Sequence, residues 1–168
     1  MTQQARVVLG DCRAALEELT DGVHGPTWRR RWVAVMVLLR AVGHVLDHVD
    51  AKGGPKMRAA IDSAWVALKE RKPYSLIFWE FIDQERNNVL KEYAVGAGHN
   101  TTVYLNSSRP VEYEYLINVG PYKGRRQREV VLEAIEWWTR YLDAIDAAAR
   151  APQLPLASRS LACNRTHL

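Results

Sequence analysis

Arg86-Asn87-Asn88-Val89-Leu90-Lys91-Glu92-Tyr93 is the stretch of this chain whose side chains are suited to chemistry. A guanidinium, two amides, an ammonium and a phenol fall within about two helical turns, and each can contact phosphate, ribose or a base edge. The segment closes a strongly apolar helical run. At about 100° per residue, Trp79, Ile82, Arg86, Leu90 and Tyr93 share one face of an unbroken α-helix. An arginine inside an apolar stripe needs a partner or a path to water. Either an internal carboxylate holds it, with Asp47, Asp50 and Glu85 as candidates, or it projects into a groove and binds an anion through its fork of donors.

The elements that position this segment follow from the apolar spacing. The first helix is expected from about Ala5 to Leu19, with Val8, Cys12, Ala15, Leu16 and Leu19 on one face. The second starts near Thr27, read as its N-cap, and runs to about Val49. Its apolar stripe is Trp28, Trp32, Val35, Met36, Leu39, Val42, Gly43, Leu46 and Val49. The third covers Pro55 to Glu70, with proline in its first turn. The fourth extends from about Ser75 to Ala94 and carries the polar cluster, with Gly96 and Gly98 releasing the chain after it. The period then becomes alternating: Thr102–Leu105 and Val111–Ile117 flank a turn at 106–110, a β-hairpin spanning about 101–118. A last helix is expected from about Arg125 to Ala149. The fold class is therefore mainly α, an antiparallel bundle of about five helices with a hairpin inserted before the last, in one domain over 1–150. Residues 151–168 mix Pro, Ser, Arg and Asn without periodicity and read as a loosely ordered tail.

Bulk properties bound the function classes. The chain has 168 residues, 48% hydrophobic and 25% charged, which is a globular rather than a disordered composition. Its net charge of +4 permits polyanion binding without requiring it. The longest uninterrupted apolar run, Trp32 to Leu39, is far short of a membrane span of ~20 residues. Met1-Thr2-Gln3-Gln4 leads straight into an amphipathic pattern, and Cys12 and Cys163 form no metal-ligand spacing. The expectation is a reduced, cytoplasmic protein with no membrane partner and no cofactor.

The polar cluster resembles the signature of HEPN domains (higher eukaryotes and prokaryotes nucleotide-binding), which are small helical bundles. In the toxins of HEPN–nucleotidyltransferase pairs that signature is arginine, four residues, histidine, one residue, tyrosine. Here Arg86, Asn87 and Tyr93 match, while Lys91 stands where the histidine belongs. The resemblance implies RNA binding or a metal-independent ribonuclease of a toxin or defence system. It further implies a homodimer and an antitoxin-like protein partner, with Arg86, Asn87, Lys91 and Tyr93 as catalytic candidates. Arg86 and Lys91 would stabilise phosphate charge, Asn87 would orient the ribose or Arg86, and Tyr93 would hydrogen-bond or stack. Lysine, with a reference pKa of about 10.4 against about 6.5 for histidine, is a poor base near neutrality. The substitution thus argues against activity, and the alternative is a non-catalytic interaction bundle in which Arg86 and the asparagines fix helix packing.

Two further patterns stand beside the cluster. Arg29-Arg30-Arg31 and Arg125, Arg126 and Arg128 open the second and last helices, where cations oppose the macrodipole. They are either nucleic-acid contacts or solvated basic ends. His44 and His48, four apart with Asp47 and Asp50 beside them, have the spacing of two metal ligands. The other reading is a polar stripe opposite the core face.

Overall fold

In the computed structural model, residues 1–20, 22–72, 75–102 and 112–151 are described. The expectations placed on the hairpin turn at 106–110 and on the tail after Ala151 lie outside them. The described residues form a mainly α bundle of five helices with a two-stranded antiparallel hairpin before the last.

α1 (Gln3–Glu17) buries Ala5, Leu9, Cys12 and Leu16 against α2 (Gly25–His48). It has no acidic residue in its first turn and no cap of its own. Other elements supply both. Asp50 accepts the N–H groups of Gln4 and Ala5 at 3.0 and 2.9 Å. Asp146 accepts the Thr2 N–H at 2.7 Å and bonds Arg6 at 3.0 Å. Free N–H groups and the positive helix end favour carboxylates there, which accounts for two buried aspartates in this bundle. Burial alone would raise the Asp146 carboxyl, but the bonds from Thr2 and Arg6 hold it below the usual carboxylate range. Its contribution to stability is therefore present at neutral pH and lost as pH falls through that lowered value. At the other end, Arg128 Nη1 donates to the Leu16 and Leu19 carbonyls at 2.6 and 2.9 Å and closes the last turn.

α2 is the centre of the molecule, with Trp28, Trp32, Val35, Met36, Leu39, Val42 and Leu46 buried on its inner side. The helix begins at Gly25, with His24 at the capping position. Thr27 is not the cap; its hydroxyl accepts a bond from Arg30 instead. Pro26 explains the earlier start, since proline is pre-organised for a first turn. Val49, expected inward, is exposed where the chain turns into a short 3-10 helix, Asp50–Gly53. Gly25–Gly53 as a whole is long and apolar enough to cross a membrane by length and composition. The reading based on Trp32–Leu39 missed this by counting only uninterrupted apolar residues; in the fold one side of the stretch is buried.

α3 (Pro55–Glu70) keeps its expected bounds and packs on α5 (Gln127–Arg150), whose Val130, Val131, Ala134, Ile135, Trp138, Leu142 and Ile145 form a buried stripe. Between them, α4 (77–92) is composite: π-helix over Ile77–Asp83, one α-turn at Gln84–Asn87 and π-helix again over Asn88–Glu92.

β1 (Ala97–Thr102) pairs antiparallel with β2 (Glu112–Ile117), in a register that sets Ala97 opposite Ile117 and Thr102 opposite Glu112. The first strand begins earlier than the alternating pattern predicts, because the Gly96 and Gly98 region, read as a release from helix, already carries it. Tyr115 fixes the hairpin to α2 by stacking on Trp28 at 4.3 Å between ring centroids. Trp28 Nε1 in turn donates to Gln127 at 3.2 Å.

Candidate anion site

Arg86 lies in the single α-turn between the two π stretches, half-buried. None of the three carboxylates suggested by sequence holds it. Asp47 pairs with Arg58 at 2.9 Å, and Asp50 caps α1. Glu85 is buried and turned the other way, with Oε1 accepting Trp32 Nε1 at 3.0 Å and the Gly96 N–H at 2.7 Å. Instead Arg86 Nη1 donates to the Asn87 amide oxygen at 2.8 Å. The Asn87 amide nitrogen reaches Asp83 at 3.4 Å. Asp83 also lies 3.4 Å from Arg40 Nε across on α2. A neutral amide thus orients the guanidinium without cancelling its charge. Among the described residues no carboxylate comes within ion-pair distance of Arg86.

His44 stands one turn beyond Arg40 on the same face of α2. Partial burial lowers its pKa most, and the charges of Arg40, Arg86 and His48 lower it further, with Asp47 opposing. Two guanidiniums and an imidazole therefore share a neighbourhood with two carboxylates, Asp83 and Asp47, of which Asp47 is paired with Arg58. Such a surplus of donors attracts an anion. Gly43 lets this end of α2 approach its neighbours. A Cβ there would stand 3.1 Å from the Trp138 ring and 3.2 Å from Arg40 Nη1, tighter than ordinary contact. Arg40 and His44 open onto a cleft of about 340 Å³ between α2, α3, α4 and α5.

The other residues of the resemblance part company with Arg86 and Asn87. Lys91 is exposed in the second π stretch. Tyr93 is 65% exposed and sits in the left-handed region at φ 53°, where it ends the helix. For an L-residue that backbone costs about 1 kcal/mol, and glycine usually takes the position. The widened turns break the constant 100° advance on which a shared Arg86–Tyr93 face depends. Ile82 and Arg86 keep their expected order on the inner side; Tyr93 does not.

The basic clusters are mostly engaged. Arg128 caps α1, and Arg125 pairs with Glu133 at 2.7 Å and lies over the Tyr122 ring. Arg31 donates to the Glu18 carbonyl, Arg30 bonds Thr27, and Arg29 is exposed. Arg126, exposed, sits at the N-cap of α5 and bridges to Leu116. His48 turns Nδ1 to the His44 carbonyl at 3.0 Å. Among the described residues no three His, Cys, Asp or Glu side chains form a metal-holding group.

Sequence reasoning missed Asp83 and the role of Arg40. The usable signal was a pair of four-residue spacings, Arg40 to His44 and Asp83 to Asn87, each of which puts two polar groups on one helix face. No family model, no curated protein and no solved structure matches the chain.

Proposed function

We propose that this is an RNA-directed helical protein of the HEPN-like kind, cytoplasmic and acting as a homodimer, that holds a phosphodiester at Arg86. The observation that carries this reading is a half-buried guanidinium oriented by the Asn87 amide, with no carboxylate at ion-pair distance among the described residues and near enough to His44 for its charge to lower the imidazole pKa. An ammonium side chain is a poor base near neutrality, whereas an imidazole with a lowered pKa is free to accept a proton. His44 therefore takes the base role that the resemblance assigns to a histidine on the Arg86 helix. It removes the proton of a ribose 2′-OH, whose oxygen attacks the adjacent phosphorus. The bond from phosphorus to the 5′ oxygen breaks, and the proton passes back to that leaving oxygen. The products are a 2′,3′-cyclic phosphate and a 5′-hydroxyl, with no net water consumed. Arg86 and Arg40 stabilise the charge on the phosphoryl oxygens.

The exposure of Lys91 and Tyr93 favours a second reading, a non-catalytic bundle that leaves RNA intact. Incubation of single-stranded RNA with the purified protein in EDTA separates the two. His44→Ala is expected to slow cleavage by about 100-fold, the lower range for loss of a general base, while RNA binding persists. Lys91→Ala is expected to retain most of the rate. Intact RNA at high wild-type concentration, or loss of cleavage in Lys91→Ala with none in His44→Ala, would overturn the assignment.

A further inference from the structure

We infer that the cleft beside Arg40 and His44 is a nucleotide site, which seats one unpaired nucleobase among its aromatic walls with the phosphate turned toward Arg40. The inference rests on the RNA-directed reading and narrows it, since it names a splayed-out nucleotide as the part of RNA that this site takes.

Size and walls come first. At about 340 Å³ the cleft is at the small end of ligand pockets, with room for one base and its sugar and none for a duplex. Trp65, Phe78, Trp138 and Tyr141 line it. Bases stack on such rings whatever their identity, which is how single strands are commonly held. Trp65 is 37% exposed at the rim. Lys69 Nζ lies 5.1 Å from its ring centroid, which adds a flexible cation at the mouth.

The hydrogen-bonding inventory selects the occupant. Trp138 is 1% exposed, and its Nε1 has no partner among the described residues. Arg40 Nε is also buried without a hydrogen bond; its 3.4 Å approach to Asp83 is an ion pair only. Burial pushes the Tyr141 phenol up to about 12, so it remains an O–H donor throughout the working pH range. The carboxylates of the cleft, Asp47 and Asp62, are engaged by Arg58 at 2.9 and 2.6 Å. A purely apolar guest would leave the remaining donors unmet. A nucleotide brings carbonyl and ring-nitrogen acceptors on the base and anionic oxygens on the phosphate. Polarity sets its direction. The Asp47–Arg58–Asp62 end carries one more carboxylate than guanidinium, while at the Arg40–His44 end Arg40 pairs with Asp83 and the nearby Arg86 has no carboxylate at ion-pair distance among the described residues.

Titration of the ¹⁵N-labelled protein with 5′-AMP, adenosine, inorganic phosphate and benzoate tests this, read on the indole N–H signals. The expected result is that AMP moves the Trp138 signal and binds at least 10-fold tighter than adenosine, phosphate or benzoate. Trp65→Ala, at an exposed position, and Trp138→Phe, which removes the donor but keeps the ring, should each weaken AMP at least 10-fold. No movement of Trp138 at millimolar AMP, or phosphate or benzoate binding as tightly as AMP, overturns the inference. RNA cleavage that persists beside either of those results would leave the Arg86 reading standing and remove only the base pocket. AMP seated in the cleft of a protein that leaves RNA intact would do the reverse.

Discussion

Arg86→Ala is expected to lower RNA turnover, as kcat/KM, on the order of 1000-fold, while the protein stays folded. Removal of one preorganised donor to a developing oxyanion typically costs about 100- to 1000-fold, and Arg86 also contributes to holding the phosphate before reaction. The fold should survive because the side chain is half-buried and its recorded bond is to the neighbouring Asn87. Arg86→Lys should restore charge but little rate, since an ammonium lacks the planar fork that grips two phosphoryl oxygens. A second readout follows the electrostatic coupling of Arg86 to His44. The Arg86 charge is one of those that lower His44, so in Arg86→Ala the imidazole titration, followed by NMR, should shift upward toward its ordinary value. Unchanged turnover together with an unchanged His44 midpoint would show that Arg86 serves packing alone.

Glu85→Ala is expected to be strongly destabilising. Its carboxylate is 5% exposed and joins three elements, since Oε1 receives Trp32 Nε1 from α2 and the Gly96 N–H that leads into β1. Truncation leaves two buried donors without an acceptor, at about 1–3 kcal/mol each, in addition to a cavity. A total of about 3 kcal/mol corresponds to a fall in Tm of about 6–12 °C for a domain of this size. Glu85→Gln keeps an amide oxygen for at least one donor and should lose less. Gly96→Ala should imitate the truncation from the other side, because its Cβ would press into Glu85 Oε2 and Val119. Thermal unfolding that puts Glu85→Ala within 2–3 °C of wild type would contradict this account of the buried carboxylate.

The contrast between Glu85 and Arg86 shows what was legible in the sequence. The α2, α3 and α5 stripes were readable because burial repeats at helical spacing, and α3 was bounded correctly because Pro55 and the glycines before it are local signals. β1 was placed too late, since Ala97-Gly98-His99 has no alternating apolar pattern and its pairing comes from β2. The partners of Arg86 were misassigned for a related reason. Asp83 and Arg40 meet across two helices, and no local spacing reports an inter-helix contact. The π-helical turns of α4 have no sequence mark either; they arise in its packing, and they carry Tyr93 away from the face that an ideal helix would give it. Candidate chemistry is therefore visible in the sequence at Arg86 and Asn87, while His44 reads there as one of a metal-spaced pair or as part of a polar stripe.

The pH profile of RNA cleavage in EDTA, measured from about pH 5 to 9, tests the central claim most directly. Desolvation of the His44 ring lowers its pKa most, and the charges of Arg40, Arg86 and His48 lower it further, with Asp47 opposing. The active, neutral form therefore gains population as pH rises. The rate should climb to half its maximum below the ordinary histidine value of about 6.5 and stay level through neutrality. RNA that remains intact at every pH, or a rate still rising beyond pH 8 as a lysine base would require, would contradict it.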